Sequence, residues 1–422
     1  MTKTTNEKGA ALLLTTILIL SIGLIIGSGL SSLTFNSLIS ARNKIKSIES
    51  YYAAEAGLED SILRLKNGMQ FSSPNTLAVG NGLTTITISD IVGGSRTIIA
   101  ESNTDERIRK LSVTYVVTTR EISFFYGAQV DQGGIIMGNN SQIQGNVFSN
   151  GSILPSGGGS SDITETATIA INGNEIDSVN IGEDAYVYSC TDSNITGTLY
   201  YVSGGAITNC TYGALVDIGP NEIEEEDLPI PLETINEWKN EAIAEGTIVG
   251  DYTLDGSETD SLGPIEITGN MLIDNMAILT VTGIIYVQGD ITIQNNGEIQ
   301  LDSEFGSLSG IIVSDGKISV LNNALLKGSG TAGSFLMLLS TNNSVDPTSP
   351  AIDVGNNAEA AIFYASNGAT VLHNNVEVKE VTSYKLILDN NAVISYETGL
   401  ENINFTSGPG GSWQVKNWQE IE

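Results

Sequence analysis

No charged residue occurs between Lys8 and Arg42, and Ala10 to Leu30 reads AALLLTTILILSIGLIIGSGL, aliphatic with scattered Gly, Ser and Thr. Such a segment must satisfy its own backbone hydrogen bonds once it leaves water, so it is a helix. At about 1.5 Å per residue it crosses the roughly 30 Å hydrocarbon layer of a bilayer. A cleaved secretory signal peptide is the alternative, but it calls for a short apolar stretch followed by a small-residue cleavage site. Here helical spacing continues through Ile45, Ile48, Tyr52, Ala56 and Leu63, and no strong breaker precedes Asn67-Gly68. The spacing therefore predicts one rod over residues 10–67, half in lipid and half outside it. A helix of that length is not stable alone in water beyond its apolar stripe and needs neighbours. The flanking cations, Lys3 and Lys8 before the span and Arg42, Lys44 and Lys46 after it, do not fix its orientation.

The 422 residues carry 18 Lys and Arg against 49 Asp and Glu, a formal charge of −31, which repels phosphate backbones and excludes nucleic acid as a partner. One histidine (His373) and two cysteines (Cys190 and Cys210) cannot build a zinc site of Cys and His alone. No catalytic, cofactor-binding or metal-ligating residue is assigned, and the chain reads as a non-enzyme. With 46 Gly, 37 Asn and only 16% charged residues, turns outnumber what long soluble helices tolerate, so the remainder is expected to be β-rich and exported.

Two motifs on the rod carry a resemblance. A short polar leader ending in Lys8-Gly9, followed by Ala10-Ala11-Leu12-Leu13-Leu14, resembles a class III (prepilin) signal. The stretch Ala53-Ala54-Glu55-Ala56-Gly57-Leu58-Glu59 is similar to the AAEAGLE signature of PilX-type minor pilins of type IV pili. The likeness covers residues 6–66. It implies that residues 1–9 are a leader, that a prepilin peptidase cuts between Gly9 and Ala10 on the cytoplasmic side, and that the apolar segment stays as anchor and assembly helix. Further implications are a single-pass protein of the cytoplasmic membrane with a short cytoplasmic amino terminus, and a place at the cell surface or in the pilus after assembly. Implied partners are other pilin subunits, the inner-membrane assembly machinery, the peptidase, and lipid along Ala10 to Leu30. One position departs from the family: major pilins carry a glutamate at the fifth mature residue, where this chain has Leu14. That difference points to a minor subunit, at the tip or in priming.

From Leu83 the texture alternates in short β-branched runs, which predicts a small antiparallel platform over residues 68–128, packed on the exposed half of the helix. Beyond Gly133 an internal repeat dominates: two apolar residues at alternate positions, then an Asn pair. It occurs before Asn139-Asn140, Asn295-Asn296, Asn322-Asn323, Asn356-Asn357 and Asn390-Asn391, with weaker copies at Asn275-Met276 and Asn374-Asn375. Alternation puts every second side chain on one face, and Asn accepts the left-handed backbone of a sharp corner. Stacked corners would let one amide bond the next. The pattern predicts a parallel β-helix (solenoid) head with Asn-ladder corners, and a β-sandwich with Asn-rich hairpins is the alternative. Intervals of 27, 34, 18 and 16 residues from Asn295 to Asn390 fit a solenoid, whose loops bulge from one side. Residues 129–262 are expected to hold the first coils, then an excursion opened by the Gly-Ser run at 157–161, containing both cysteines, the acidic linker Asn221 to Asp227 and a short helix with Ile235, Trp238 and Ala242 on one face. That helix is expected to dock on sheet as a lid. Residues 263–408 form the main β-helix and 409–422 a turn and last strand.

Cys190 and Cys210 lie one coil's length apart and outside the cytoplasm should form a disulfide. Asp251, Asp255, Glu258, Asp260, Glu266 and Asp274 could bind calcium, though solvated acidic surface is the simpler reading. His373 is expected to point outwards as a surface residue. The functional expectation is a structural pilin-like subunit displaying an acidic head for assembly or adhesion to a cell-surface or glycan ligand. The alternatives are a tethered β-helix polysaccharide lyase or hydrolase, and a stationary surface anchor outside any filament.

Overall fold

The computed structural model describes residues 6–66, 73–89, 95–117, 119–355, 362–406 and 413–421. Helix α1 runs from Asn6 to Lys66. Within its apolar part hydroxyls turn back onto the helix: Thr16 donates to the Leu12 carbonyl at 3.0 Å, Ser21 to that of Ile17 at 2.8 Å and Thr34 to that of Leu30 at 2.9 Å. No hydroxyl in this trio needs water, which is what a nonpolar surrounding demands. The expected stop at Asn67-Gly68 lies outside the described residues.

Four antiparallel strands follow, β1 (Asn75–Val79), β2 (Gly82–Ile88), β3 (Ser95–Thr104) and β4 (Arg107–Val117), in sequential order. A fifth strand, Trp413–Ile421, returns from the far end of the chain and pairs antiparallel with β4, Leu111 opposite Glu420. The platform is thus closed by the carboxy-terminal strand, which alternation alone could not assign to it. Its inward residues Ile86, Ile98, Ala100, Leu111 and Val113 bury Ala54 and Leu58 of α1. The Gly-Pro-Gly-Gly411 turn lies outside the described residues.

The chain leaves the platform through Thr119–Ile122, which pairs antiparallel with Ile403–Thr406, the segment by which it comes back. Between these two lies a mainly parallel sheet system. Ile291 pairs with Ile318, Ile318 with Ile352, Ile352 with Thr370 and Thr370 with Leu386. Those registers reproduce the intervals of the Asn repeat. Asn140, Asn275, Asn295, Asn296, Asn322, Asn323, Asn375 and Asn391 have φ between 51° and 63°, the left-handed corner that Asn tolerates. Asn322 Nδ2 donates to Asn295 Oδ1 at 3.1 Å and Asn391 Nδ2 to Asn375 Oδ1 at 3.2 Å. Asn356-Asn357 lies outside the described residues. Interior columns of buried residues, Ile293, Val320, Val354, Leu372, Leu388 and Met137 among them, fill the space between the sheets.

Two features differ from the expectation. Residues after 157–161 do not open an excursion: Ser161–Ile163, Val179–Ile181, Asn194–Tyr201 and Thr211–Asp217 continue the same parallel ladder, with Ile163 on Ile181 and Ile195 on Tyr212. Their corners use Ser178 and Asp192 at positive φ in place of Asn pairs, so the repeat template passes over them. The order of the layers is also not the order of the chain. Ala128–Met137 enters mid-stack, with Val147–Ser149 on one side and Glu380–Leu388 on the other. The chain builds outward to Asp217 and crosses through the acidic connector. It then restarts at Thr247–Ile248 and builds back until Val393–Ser395 meets Gln142–Gln144. Helix α2 (Leu232–Glu245) bridges that crossing and buries Ile235, Trp238 and Ala242 on Ile284, Ile311 and Phe405, as a lid on the sheet.

Candidate functional site on the N-terminal helix

The large apolar side chains from Leu12 to Ile39 are 48–73% exposed on every side of α1, Leu14 among them. Mean hydropathy reaches 2.5 over a window of which nothing is buried within the chain. A helix apolar all round and buried by nothing in its own chain calls for lipid or other helices around it. Gly9 and Ala10 lie near the exposed start of α1, with open space around Gly9.

The AAEAGLE stretch has a physical role in the carboxy-terminal half. Ala53, Ala54, Gly57 and Leu58 share the face turned to the platform, and Ala53, Ala54 and Leu58 are fully buried there. A Cβ on Gly57 would come 2.7 Å from Thr84 Cγ2, so only glycine permits this approach of helix to sheet. Thr84 Oγ1 in turn donates to the Ala53 carbonyl at 3.0 Å, and Ser50 Oγ to the Ser102 carbonyl at 2.8 Å. Glu55 and Ala56 are half-buried and Glu59 is exposed, on the flank away from the sheet. The same outer flank carries Ile45, Ile48, Tyr52 and Leu63, all exposed. At the upper end of the contact Lys46 pairs with Asp105 at 2.5 Å, and the lysine, helped by Arg42, holds the Asp105 carboxyl below the usual range. Arg109 ties α1 to the last strand, reaching Ser47 Oγ at 2.8 Å and Glu420 at 2.7 Å.

In the β-rich part Cys190 and Cys210 form a disulfide with Cα atoms 6.3 Å apart. The six clustered carboxylates do not converge. Asp251 accepts from the Asn270 amide at 2.7 Å, Asp255 from Asn275 Nδ2 at 2.7 Å, Asp274 from Asn295 Nδ2 at 2.8 Å and Glu266 from Thr247 Oγ1 at 2.9 Å. Asp260 accepts from the Tyr252 hydroxyl at 2.8 Å. Asp251, Asp255, Asp274 and Glu266 thus accept from neighbouring layers, and no group of three or more His, Cys, Asp or Glu suited to a metal occurs among the described residues. His373 is half-buried, not a free surface residue: Nδ1 sits 2.8 Å from Asp389 and Nε2 2.8 Å from Asp353, one carboxylate from each neighbouring layer. The Nδ1 contact is a hydrogen bond to Asp389, so the ring acts as a clamp between layers. Glu380, which nothing in the sequence singles out, is fully buried with Thr382 Oγ1 donating at 2.6 Å, and its Oε2 has no hydrogen-bond partner among the described residues. Burial pushes its carboxyl well above the usual range.

No family model and no curated protein matches the chain. Among solved structures it is similar to the competence-associated pilin ComZ from Thermus thermophilus, at 10% identity over 89% of this chain and 98% of that one, with a TM-score of 0.26. A score of that size does not establish a common fold.

Proposed function

We propose that this chain is a structural, PilX-type minor subunit of a type IV pilus or related filament, without enzymatic activity. Residues 1–9 are a leader removed by a prepilin peptidase at Gly9–Ala10. The segment Ala10 to Leu30 holds the subunit in the cytoplasmic membrane, amino terminus inside, until the assembly machinery extracts it into contact with the helices of other pilins. The parallel ladders wind as a β-helix, an acidic head for assembly or for contact with a cell-surface or glycan ligand. One observation carries the reading: an apolar half-helix that buries nothing in its own chain continues into a half welded to a platform by Ala53, Ala54, Gly57 and Leu58. In water that apolar surface costs about 25 cal/mol per Å², so it is hidden by acyl chains before assembly and by neighbouring helices after it. Between residues 123 and 406 the chain has 37 acidic against 5 basic side chains. Heads of such charge repel at close spacing, which suits an occasional subunit better than the repeating one.

Mass spectrometry of the mature amino terminus tests the processing step. N-methylated Ala10 is expected, and an intact Met1 or a cut near Ser28 overturns it. Immunogold labelling of sheared filaments tests the destination: label confined to membrane fractions would leave a stationary anchor in place of a filament subunit.

A further inference from the structure

The two ends of the parallel stack are finished differently. At the end where the ladder restarts, Asp251, Asp255, Glu258 and Asp260 crowd the first layer, and the Tyr252 hydroxyl bonds Asp260 across it. At the other end lies Thr211–Asp217, exposed along its whole length. Among the described residues this strand pairs on one side only, with Asn194–Tyr201. Tyr212 and Leu215 stand in line with the buried Ile195 and Leu199 of the layer beneath, yet are 40% and 42% exposed, and Val216 and Ile218 are 39% exposed. Core positions are thus open to solvent beside an unpaired strand edge, a combination that recruits another strand. The disulfide at Cys210 adjoins this strand and fixes its approach to the layer below.

We propose that this edge pairs with the same edge of a second copy of the chain, antiparallel about Ala214, giving a two-fold dimer of heads. Charge selects the occupant. Residues 193–216 contain no charged side chain, in a chain of net charge −31, so two copies meet at this edge with little repulsion from the strands themselves. The acidic connector leaves the end at once, Glu222 accepting from the Asn172 amide three layers back. In the two-fold register each Asp217 faces Thr211 of the other copy, which keeps the two Asp217 carboxylates apart. The inference rests on strand geometry and does not depend on the filament reading.

The test is analytical ultracentrifugation of the full chain in nonionic detergent, with salt varied. A dimer that tightens with salt is expected, because screening relieves repulsion between the acidic heads. Leu215→Lys should weaken it by about tenfold or more, equivalent to about 1.4 kcal/mol. Ala214→Cys, on the two-fold, should form an intermolecular disulfide between like residues without loss of fold. A dimer unaffected by Leu215→Lys that also fails to cross-link through Ala214→Cys is held elsewhere, through α1 for example, and overturns the proposal. A monomer at every concentration overturns it too and leaves the edge to a strand of another protein. Open-ended oligomers overturn the two-fold.

Discussion

Gly57→Ala isolates the contact on which the platform depends. The new methyl would stand 2.7 Å from Thr84 Cγ2, 3.4 Å from Ile86 Cγ1 and 3.5 Å from Ala100 Cβ, so one neighbour alone is in collision. Thr84 cannot turn its methyl aside freely, because its hydroxyl donates to the Ala53 carbonyl from a fully buried position. Overpacking of this kind costs about 1–3 kcal/mol, and replacing glycine within a helix returns about 1 kcal/mol. The expected net is a loss of up to about 2 kcal/mol, confined to the platform. Hydrogen exchange at the amides of Ile98, Leu111 and Val113 reads that local opening free energy in the full chain. Thr84→Ser deletes the colliding methyl and keeps the hydroxyl, so in that background Gly57→Ala should become neutral or stabilising. Equal effects in both backgrounds, or a plain gain of about 1 kcal/mol in the parent chain, would show that glycine is there for some reason other than close approach.

Glu380→Gln should stabilise the head increasingly with pH. The buried carboxyl titrates above the ordinary 4.5, so folding of the parent takes up a proton once the unfolded chain has lost it; stability then falls by about 1.4 kcal/mol per pH unit until the folded group ionises, and urea midpoints of parent and variant that stay parallel with pH would refute this. Replacing both Cys190 and Cys210 by Ser opens a loop of 20 residues and should cost about 3 kcal/mol, seen as faster exchange confined to residues 194–217, the last two layers at that end; uniform loosening of the stack would contradict it. A protease site placed at Gly219 to Asn221 should give two fragments that stay together, held where Leu386 and Leu388 pair with Ile135 and Met137, by the link of residues 119–122 with 403–406, and by the last platform strand; fragments that separate on gel filtration without denaturant would refute the mid-stack entry.

Local rules reach far along this chain. An uncharged run of helix formers can do little but form α1, and the Asn pairs mark corners because few other residues accept positive φ there. Cys190 and Cys210 could be paired by counting one layer's length. What local rules miss is whatever joins residues distant in sequence. The Leu388-to-Met137 register spans some 250 positions and leaves no periodic trace, and the same is true of Trp413–Ile421 on β4. His373 gave no sign of its clamp because Asp353 and Asp389 come from different layers. Between 161 and 217 the layers were hidden for a chemical reason: Ser178 and Asp192 turn the same corners as Asn, in a sequence where Ser and Asp are too common to mark them.

Mid-stack entry has a consequence that sequential winding would not. In a ladder that begins at one end, the attachment point occupies that end and protects it. Here both connections to the platform, Thr119–Ile122 and Ile403–Thr406, leave from the side of the stack, where Phe405 bridges Ser309 of an inner layer. Neither end of the stack is used for attachment, so each must be finished by its own side chains. The acidic end achieves this with carboxylates and the Tyr252–Asp260 bond, which discourage further strands. The Thr211–Asp217 end has Tyr212, Leu215 and Val216 in the open, and its one charge, Asp217, stands at the margin of the strand. A fold that frees both ends and blunts only one directs association to the other. Joining like ends closes after two copies, whereas joining unlike ends would continue without limit.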